Sequence, residues 1–286
     1  MAKLNLGTSS WQFDEWRGVF YPDGLARPRY LPYYATQFNS VEVNTSFYGI
    51  PKPATLINWV ESVPAGFTFC LKFPRAITHE KRLMDCEQET LIFLDVIRAL
   101  GEAAGPGLLQ FPPDFSRQHY GRTLALYLDW LATELKGVRV GVEVRAQDLM
   151  TPAFAAFLAE RGMVYTLVAR AGTPDAFDLW WELVEMQRTP NFALVRWIGD
   201  DKNGPTDNDR LVAPRDEELT LWAQRLAQLC AAEIATFGYM HNPYEGHSPA
   251  SIRRLQERIA PLCPLPTWPP PGMVLDEEPP AQMSLF

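Results

Sequence analysis

Short apolar runs alternate with segments of helical spacing, and this alternation limits the possible folds more than any other feature of the sequence. The eight predicted strands are Leu4–Ser9, Ser40–Thr45, Phe67–Lys72, Gly107–Phe111, Val138–Arg145, Met163–Ala169, Phe192–Trp197 and Glu233–Met240. Strand starts recur about every thirty residues, the length of one βα unit. Most runs are rich in Val, Leu and Phe, as is typical of parallel strands buried on both faces. Eight such units with right-handed crossovers close most naturally into an α/β fold, the (β/α)8 TIM barrel.

The intervening segments carry apolar residues at helical spacing. Two of them open with a capping residue followed by proline, at Thr151 and at Ser248, as is common in the first turn of a helix. Another helix is predicted to begin near Pro53. Besides this helix, the predicted helices are Glu87–Ala104, Tyr120–Leu135, Thr151–Arg161, Glu217–Ala232 and Ser248–Ile259.

The chain has 286 residues and is 47% apolar, enough for one large core, and we predict a single barrel domain over residues 1–262. A proline-rich stretch with the acidic run 276–278 follows this domain. Residues 263–281 are therefore predicted to form a flexible, solvated Pro/Glu linker. The last five residues, 282–286, are predicted to be a partner-binding peptide at the end of this linker.

Composition narrows the cellular setting. No apolar run is long enough to span a membrane, and the first residues lack the apolar region of a signal peptide. The four cysteines are scattered without a C-x-x-C pair, which favours reduced thiols in the cytoplasm. The net charge of −8 argues against indiscriminate nucleic-acid binding but is compatible with a local basic surface.

Two acidic residues, Glu42 and Glu143, lie at the ends of the second and fifth predicted strands. Because barrels carry their chemistry at the carboxyl ends of strands, these carboxylates are candidate general bases. With His241 they are also candidate ligands for one divalent metal ion. The alternative interpretation is a structural network in which arginine or lysine neutralises each carboxylate.

Five cations also fall at or just after strand ends, and they suit a phosphate or other anion. They are Lys72, Arg75, Arg145, Arg170 and Arg196. In a catalytic role, Lys72, Arg145 and Arg196 would stabilise developing negative charge. The alternative is ordinary salt bridging to nearby acids. Further candidate ligand contacts at strand ends are Asn44, His79, Gln110 and Asn242.

Aromatic residues cluster near the first two strand ends, among them Trp11 and Tyr48. Such rings can stack on bases or sugars, and they can equally pack loops over a barrel. The sequence leaves these two interpretations open.

Several motifs together resemble the YecE-like family of bacterial and archaeal proteins of unknown function. They are the segments 7–11, 16–22, 38–48, 69–72, 77–79, 110–113 and 142–145. The resemblance spans roughly residues 4–260 and implies a TIM barrel, with a proposed similarity to endonuclease IV. The family usually has two adjacent asparagines near the last strand. Here His241 precedes Asn242, so one asparagine of the pair is absent.

The C-terminal pentapeptide Gln282-Met283-Ser284-Leu285-Phe286 resembles the bacterial sliding-clamp-binding motif. A glutamine amide and two large apolar side chains on an extended arm suit a polar and apolar pocket on a partner. The alternative is that Leu285 and Phe286 dock onto the barrel.

We therefore expect a clamp-tethered protein of DNA repair or replication-associated processing. It would bind phosphate-bearing nucleic acid, and phosphodiester or glycosidic hydrolysis is the first expected chemistry. A non-catalytic DNA adaptor and an enzyme acting on a sugar or sugar phosphate are the alternatives.

Overall fold

Nine parallel strands form one sheet in the computed structural model, which describes residues 4–190, 192–265 and 267–270. The sheet order is β6-β5-β4-β3-β2-β1-β9-β8-β7. The strands are β1 Leu4–Ser9, β2 Ser40–Val43, β3 Thr68–Lys72, β4 Ala104–Gln110, β5 Val140–Glu143, β6 Val164–Tyr165, β7 Leu167–Arg170, β8 Phe192–Gly199 and β9 Ala235–Met240.

The predicted sixth strand, Met163–Ala169, is divided into β6 and β7 at Thr166. The first piece pairs with β5 and the second with β8, so the chain passes from one ladder to the other at this point. This division brings the two edges of the sheet together and leaves a nearly closed barrel. The predicted α/β barrel fold is therefore confirmed, with one strand in two short pieces.

Eight α-helices cover the outside of the barrel in the described part of the chain. Two of them, α1 and α6, were not predicted, and the predicted helix Glu87–Ala104 is shorter than expected. It ends at Ala99 because Gly101 adopts a positive φ of 58° and β4 already begins at Ala104. The helices are α1 Tyr30–Gln37, α2 Pro53–Glu61, α3 Glu87–Ala99, α4 Arg117–Glu134, α5 Pro152–Ala159, α6 Phe177–Glu185, α7 Asp216–Ala231 and α8 Ser248–Ile259.

The barrel interior is filled by a small cluster of buried side chains that is separate from the larger core between sheet and helices. The interior cluster comprises Cys70, Leu108, Val164, Phe192, Leu194, Phe237 and Tyr239. Residues paired in register on neighbouring strands share a face of the sheet. Glu42 pairs with Cys70, and Arg196 pairs with Tyr239, so both charged side chains point into the barrel.

The described chain continues to pack on the barrel beyond the predicted boundary at residue 262. The Trp268 Nε1 donates a hydrogen bond to the Ala35 carbonyl oxygen at 2.9 Å, and its ring lies 6.4 Å from that of Phe67. This part of the predicted linker therefore lies against the barrel. Residues 271–281 of the linker and the peptide 282–286 lie outside the described residues. Among the described helices, none has the length and apolar character needed to cross a membrane.

Candidate functional site

A buried ion triad lies inside the barrel at the carboxyl ends of the strands. Arg196 donates two hydrogen bonds to Glu42, from Nε to Oε2 at 2.7 Å and from Nη2 to Oε1 at 2.8 Å. Its third nitrogen, Nη1, donates to Glu143 Oε2. All three side chains are at most 2% exposed. The guanidinium therefore bridges two carboxylates that come from separate strands, β2 and β5.

Neighbouring strand ends complete the hydrogen bonding of these carboxylates. The Ser9 hydroxyl donates to Glu42 Oε1 at 2.9 Å, and Asn44 in turn donates to the Ser9 oxygen. Arg145 Nε donates to Glu143 Oε1 at 3.0 Å. Ser9 pairs in register with Glu42, so the parallel ladder itself places this hydroxyl. Asn44 is thus a support for the triad in this structure.

The triad keeps both carboxylates ionised. Burial is the largest influence on Glu42 and would raise its pKa, but Arg196 and the other nearby cationic groups together lower that pKa to about 2. The pKa of Glu143 is lowered in the same way, against burial, by Arg196 and then Arg145. An ionised carboxylate whose oxygens already accept several hydrogen bonds is a weak general base. The geometry therefore favours the structural-network interpretation of Glu42, Glu143 and Arg196 over a base role.

The accessible positive charge lies above the triad. Arg170 Nη2 is 2.9 Å from Asp201 Oδ1, while Arg145 Nη1 is 3.9 Å from the other oxygen of the same carboxylate. Asp201 belongs to the segment between β8 and α7. Asp201 is therefore shared by two arginines, and Arg145 in turn is shared between Asp201 and Glu143.

Lys72, at the end of β3, forms no ion pair with any described carboxylate. Its ammonium nitrogen lies 4.2 Å from the centre of the Phe47 ring, and the His79 ring packs against the same phenyl ring with centres 4.9 Å apart. Burial, and after it the charge of Arg196, lowers the pKa of Lys72 to about 8. Burial and then the charge of Lys72 lower the pKa of His79 to about 4. At neutral pH the histidine is uncharged and the lysine is mostly protonated.

His241 lies beside the triad, with Nε2 3.6 Å from Glu42 Oε1. This nitrogen is buried and has no hydrogen-bond partner among the described residues. Burial, followed by the charge of Arg196, lowers the pKa of His241 to about 3, so the imidazole is neutral at physiological pH. It is an unsatisfied polar atom at the strand ends, where a bound ligand would supply a partner.

The predicted divalent-metal site is not supported by this arrangement. Arg196 occupies the space between the carboxylates of Glu42 and Glu143 that a cation would need. Among the described residues no group of three or more His, Cys, Asp or Glu side chains is arranged to hold a metal ion. Like charges repel, so a metal ion and the guanidinium would not share this site.

Three other predicted ligand contacts have structural partners. Arg75 forms an exposed ion pair with Glu80 at 3.2 Å. Gln110 is buried and donates to the carbonyl oxygen of the next residue. The Asn242 side-chain oxygen accepts hydrogen bonds from the Ser248 backbone and hydroxyl at 3.0 and 2.7 Å, so it caps the first turn of α8. Arg75 and Gln110 thus have partners within the chain, whereas the buried side-chain nitrogen of Asn242 has no hydrogen-bond partner among the described residues.

The two predicted aromatic contacts differ from each other. Trp11 is buried and packs edge-to-face against Trp59 with ring centres 5.6 Å apart, which favours the loop-packing interpretation. Tyr48 is 81% exposed and remains available for stacking.

Sequence reasoning missed Ser9 and Asp201. Ser9 ends a predicted strand within the first family motif, so its position at a strand end was the available signal. Asp201 lies in an irregular segment whose composition gave no indication of its contacts. A cleft of about 440 Å³ between α4 and α5 is lined by neither these residues nor the triad. In contrast to the buried Arg196, the cations Lys72, Arg145 and Arg170 are partly exposed.

Comparisons with known proteins agree with the motifs of the sequence. The model of the family described as "Protein of unknown function DUF72" matches residues 5–271. The UPF0759 protein YecE of Escherichia coli K12 is 27% identical over 277 residues, covering 91% of this chain and 94% of that protein. The predicted resemblance to YecE-like proteins is therefore confirmed.

Two solved structures share the fold. The structure of a DUF72 family protein from Thermotoga maritima superposes with a TM-score of 0.74 at 22% identity, covering 90% of this chain and 99% of that one. D-psicose 3-epimerase from Clostridium cellulolyticum superposes with a TM-score of 0.52 at 11% identity, covering 90% and 96%. At these identities the likeness concerns the barrel fold alone.

Proposed function

This chain belongs to the DUF72 family of YecE-like proteins, a family of unknown function, and we propose a function from its site and its C-terminal peptide. The protein binds a phosphate-bearing nucleic-acid element at the carboxyl ends of the barrel strands. Its last five residues, 282–286, attach it to the bacterial replication sliding clamp. The setting is DNA repair or replication-associated processing.

The observation that carries the binding proposal is the charge balance above the buried triad. Counted together with the triad, four cations (Lys72, Arg145, Arg170 and Arg196) face three carboxylates (Glu42, Glu143 and Asp201). One positive charge is therefore left without a counter-ion among these residues. One arginine guanidinium can donate two parallel hydrogen bonds to the oxygens of a phosphate group. Partial burial strengthens such hydrogen bonds. The unpartnered nitrogen of His241 offers a further polar contact beside them.

The net charge of −8 belongs to the whole chain and does not describe this surface. The local field of an unbalanced positive charge governs the approach of an anion when other charges are screened beyond about 10 Å. A nucleic acid is favoured over other phosphate compounds because the C-terminal peptide resembles a clamp-binding motif.

Binding without cleavage is the form of this function that the geometry supports best. Glu42 and Glu143 are engaged with Arg196, which leaves neither carboxylate free to activate water. Hydrolysis through these residues would require the triad to open, at the cost of exposing an unpaired buried charge.

The test is fluorescence anisotropy with labelled single-stranded, nicked and abasic oligonucleotides at one fixed salt concentration. We expect the double variant Arg145→Gln, Arg170→Gln to weaken binding about tenfold or more, since charged hydrogen bonds contribute about 1.5–3 kcal/mol each. The control is Arg188→Gln, which removes a largely exposed arginine paired with Glu160 that lies just before β8, at the amino end of that strand. Binding that is equal in all three proteins would refute the proposal.

The same oligonucleotides, incubated with and without Mg²⁺, separate the alternatives. Cleavage that disappears in Glu42→Gln and Glu143→Gln would favour a hydrolase. Binding without turnover supports the adaptor. Absence of nucleic-acid binding together with binding of a small sugar phosphate would favour the small-molecule enzyme.

A further inference from the structure

Lys72 differs from the other described lysines in its surroundings. Lys81 and Lys136 each pair with a glutamate, and Lys52 and Lys202 are exposed. Lys72 instead ends a barrel strand, lies over an aromatic ring and has no carboxylate partner among the described residues. An aromatic face attracts an ammonium ion but does not neutralise its charge. Ordinary salt bridging therefore does not explain the position of the Lys72 side chain.

Burial favours the neutral form of Lys72, while the charges around it act in both directions: the two arginines lower its pKa, and Glu143 and Glu42 raise it. Arg196 and Arg145 act on it from the neighbouring strand ends, and the two nearby carboxylates are engaged with these arginines. Desolvation, followed by the charge of Arg196, lowers the pKa of Lys72 to about 8. A lysine that is desolvated and lies next to other cations is the type that acts as a nucleophile towards carbonyl carbon.

We propose that Lys72 forms an imine with the aldehyde carbon of a phosphate-bearing substrate held at the strand ends by Arg145 and Arg170. This inference rests on the proposed anion-binding function and adds a covalent step to it. The two arginines bind the phosphate, so Lys72 does not have to remain charged for the substrate to bind.

The step balances without an oxidant or a reductant. The neutral Lys72 amine attacks the carbonyl carbon and gives a carbinolamine. The carbinolamine nitrogen then loses its remaining proton and the carbon loses hydroxide, which together leave as water, and a carbon–nitrogen double bond forms. Hydrolysis reverses both stages and releases the aldehyde.

The chemistry fits two sources of the same group. A phosphorylated small aldose carries an aldehyde near a phosphate, and so does the open form of an abasic site in DNA. Both offer an electrophilic carbon within a few bonds of an anion that Arg145 and Arg170 can hold. The experiment below distinguishes them.

The test uses the full chain with sodium cyanoborohydride, which reduces an imine to a stable secondary amine. Glycolaldehyde phosphate, unphosphorylated glycolaldehyde and an abasic oligonucleotide serve as probes, and peptide mass spectrometry locates the adduct. We expect on the order of tenfold more adduct at Lys72 than at exposed Lys202 at neutral pH, because far more of Lys72 is unprotonated. Enrichment with the oligonucleotide over glycolaldehyde phosphate assigns DNA as the source, and the reverse assigns a sugar phosphate.

The pH profile gives a second readout. Adduct at Lys72 should rise with pH and level off above about pH 8, where its amine becomes neutral. Adduct at Lys202 should continue to rise towards the ordinary lysine pKa of about 10.4. In the double variant Arg145→Gln, Arg170→Gln we expect about tenfold less adduct from glycolaldehyde phosphate and no comparable loss with glycolaldehyde.

Two failures have different meanings. Wild-type protein that binds the phosphate probes but shows no enrichment of adduct at Lys72 overturns the imine and leaves the proposed function intact. Wild-type protein that binds none of the phosphate probes overturns the proposed function itself. Equal adduct at Lys72 from both glycolaldehyde probes overturns the assignment of a phosphate-bearing substrate.

Discussion

At the scale of single residues, the barrel is organised around one arginine. Arg196 forms ion pairs with two buried carboxylates on β2 and β5. Its positive charge therefore compensates the burial of both ionised glutamates. Burying a charged side chain costs desolvation free energy. Removing one partner of a buried ion pair leaves the other charge without compensation, whereas replacing all members by neutral residues avoids this penalty. The consequence is a stability effect that depends on which members of the triad are changed together.

We expect Arg196→Met to destabilise the protein by about 3–5 kcal/mol because it leaves Glu42 and Glu143 buried without a counter-ion. The triple variant Glu42→Gln, Glu143→Gln, Arg196→Met should recover most of this loss. Equilibrium unfolding in urea measures both free energies, and Arg188→Gln is the control with a change below about 0.5 kcal/mol. An Arg196→Met protein as stable as the wild type would show that the triad does not hold the barrel interior together.

At the scale of elements, the segment between β8 and α7 places an acidic side chain on the cationic edge. Asp200 anchors the turn by accepting backbone hydrogen bonds from Lys202 and Asn203 at 3.1 and 2.9 Å. The next residue, Asp201, is thereby directed to Arg170 and Arg145. Under the proposed function, this carboxylate competes with an anionic ligand for the same two arginines.

We therefore expect Asp201→Asn to strengthen binding of a labelled oligonucleotide several-fold, because the carboxylate no longer competes for the two arginines. Asp207→Asn is the matched control, since Asp207 is in the same segment and pairs with Arg210 at 2.6 Å. Anisotropy titrations compare the three proteins at one salt concentration. Weaker binding by Asp201→Asn would indicate that this carboxylate positions the arginines instead of competing with the ligand.

At the scale of the whole molecule, the proposed function has two parts, a barrel that binds phosphate and a short C-terminal peptide that binds the clamp. A clamp-binding peptide needs only its own residues and enough chain to reach the partner. The barrel and the peptide should then be separable: one binds the phosphate ligand and the other binds the clamp.

Deletion of residues 282–286 should abolish capture of the protein by a purified bacterial sliding clamp and leave oligonucleotide binding unchanged. The control is Glu277→Gln with Glu278→Gln, which alters the charge before the peptide and keeps the peptide itself. A pull-down with immobilised clamp and anisotropy with DNA provide the two measurements. Capture that persists after the deletion would remove the replication link and leave the barrel site as an independent question.

The fold and most strand ends were predictable from the chain alone, because buried parallel strands are continuous apolar runs and βα units have a nearly fixed length. The same pattern located Glu42, Lys72, Glu143, Arg145 and Arg196 at strand ends. The helix α1 was missed because it is short, contains Pro32, and has Tyr30, Tyr34 and Thr36 on its buried face, which weakens the apolar periodicity.

Only the tertiary structure decided which of these charges oppose one another. Glu42 and Arg196 are 154 positions apart, and barrel closure alone brings them into contact. That contact turns two candidate bases into members of a buried network, while Lys72 on the neighbouring strand β3 has no ion-pair partner in the described part of the chain. Sequence spacing specifies the strand on which a side chain lies, but electrostatic pairing depends on distances across the barrel, which local periodicity does not encode.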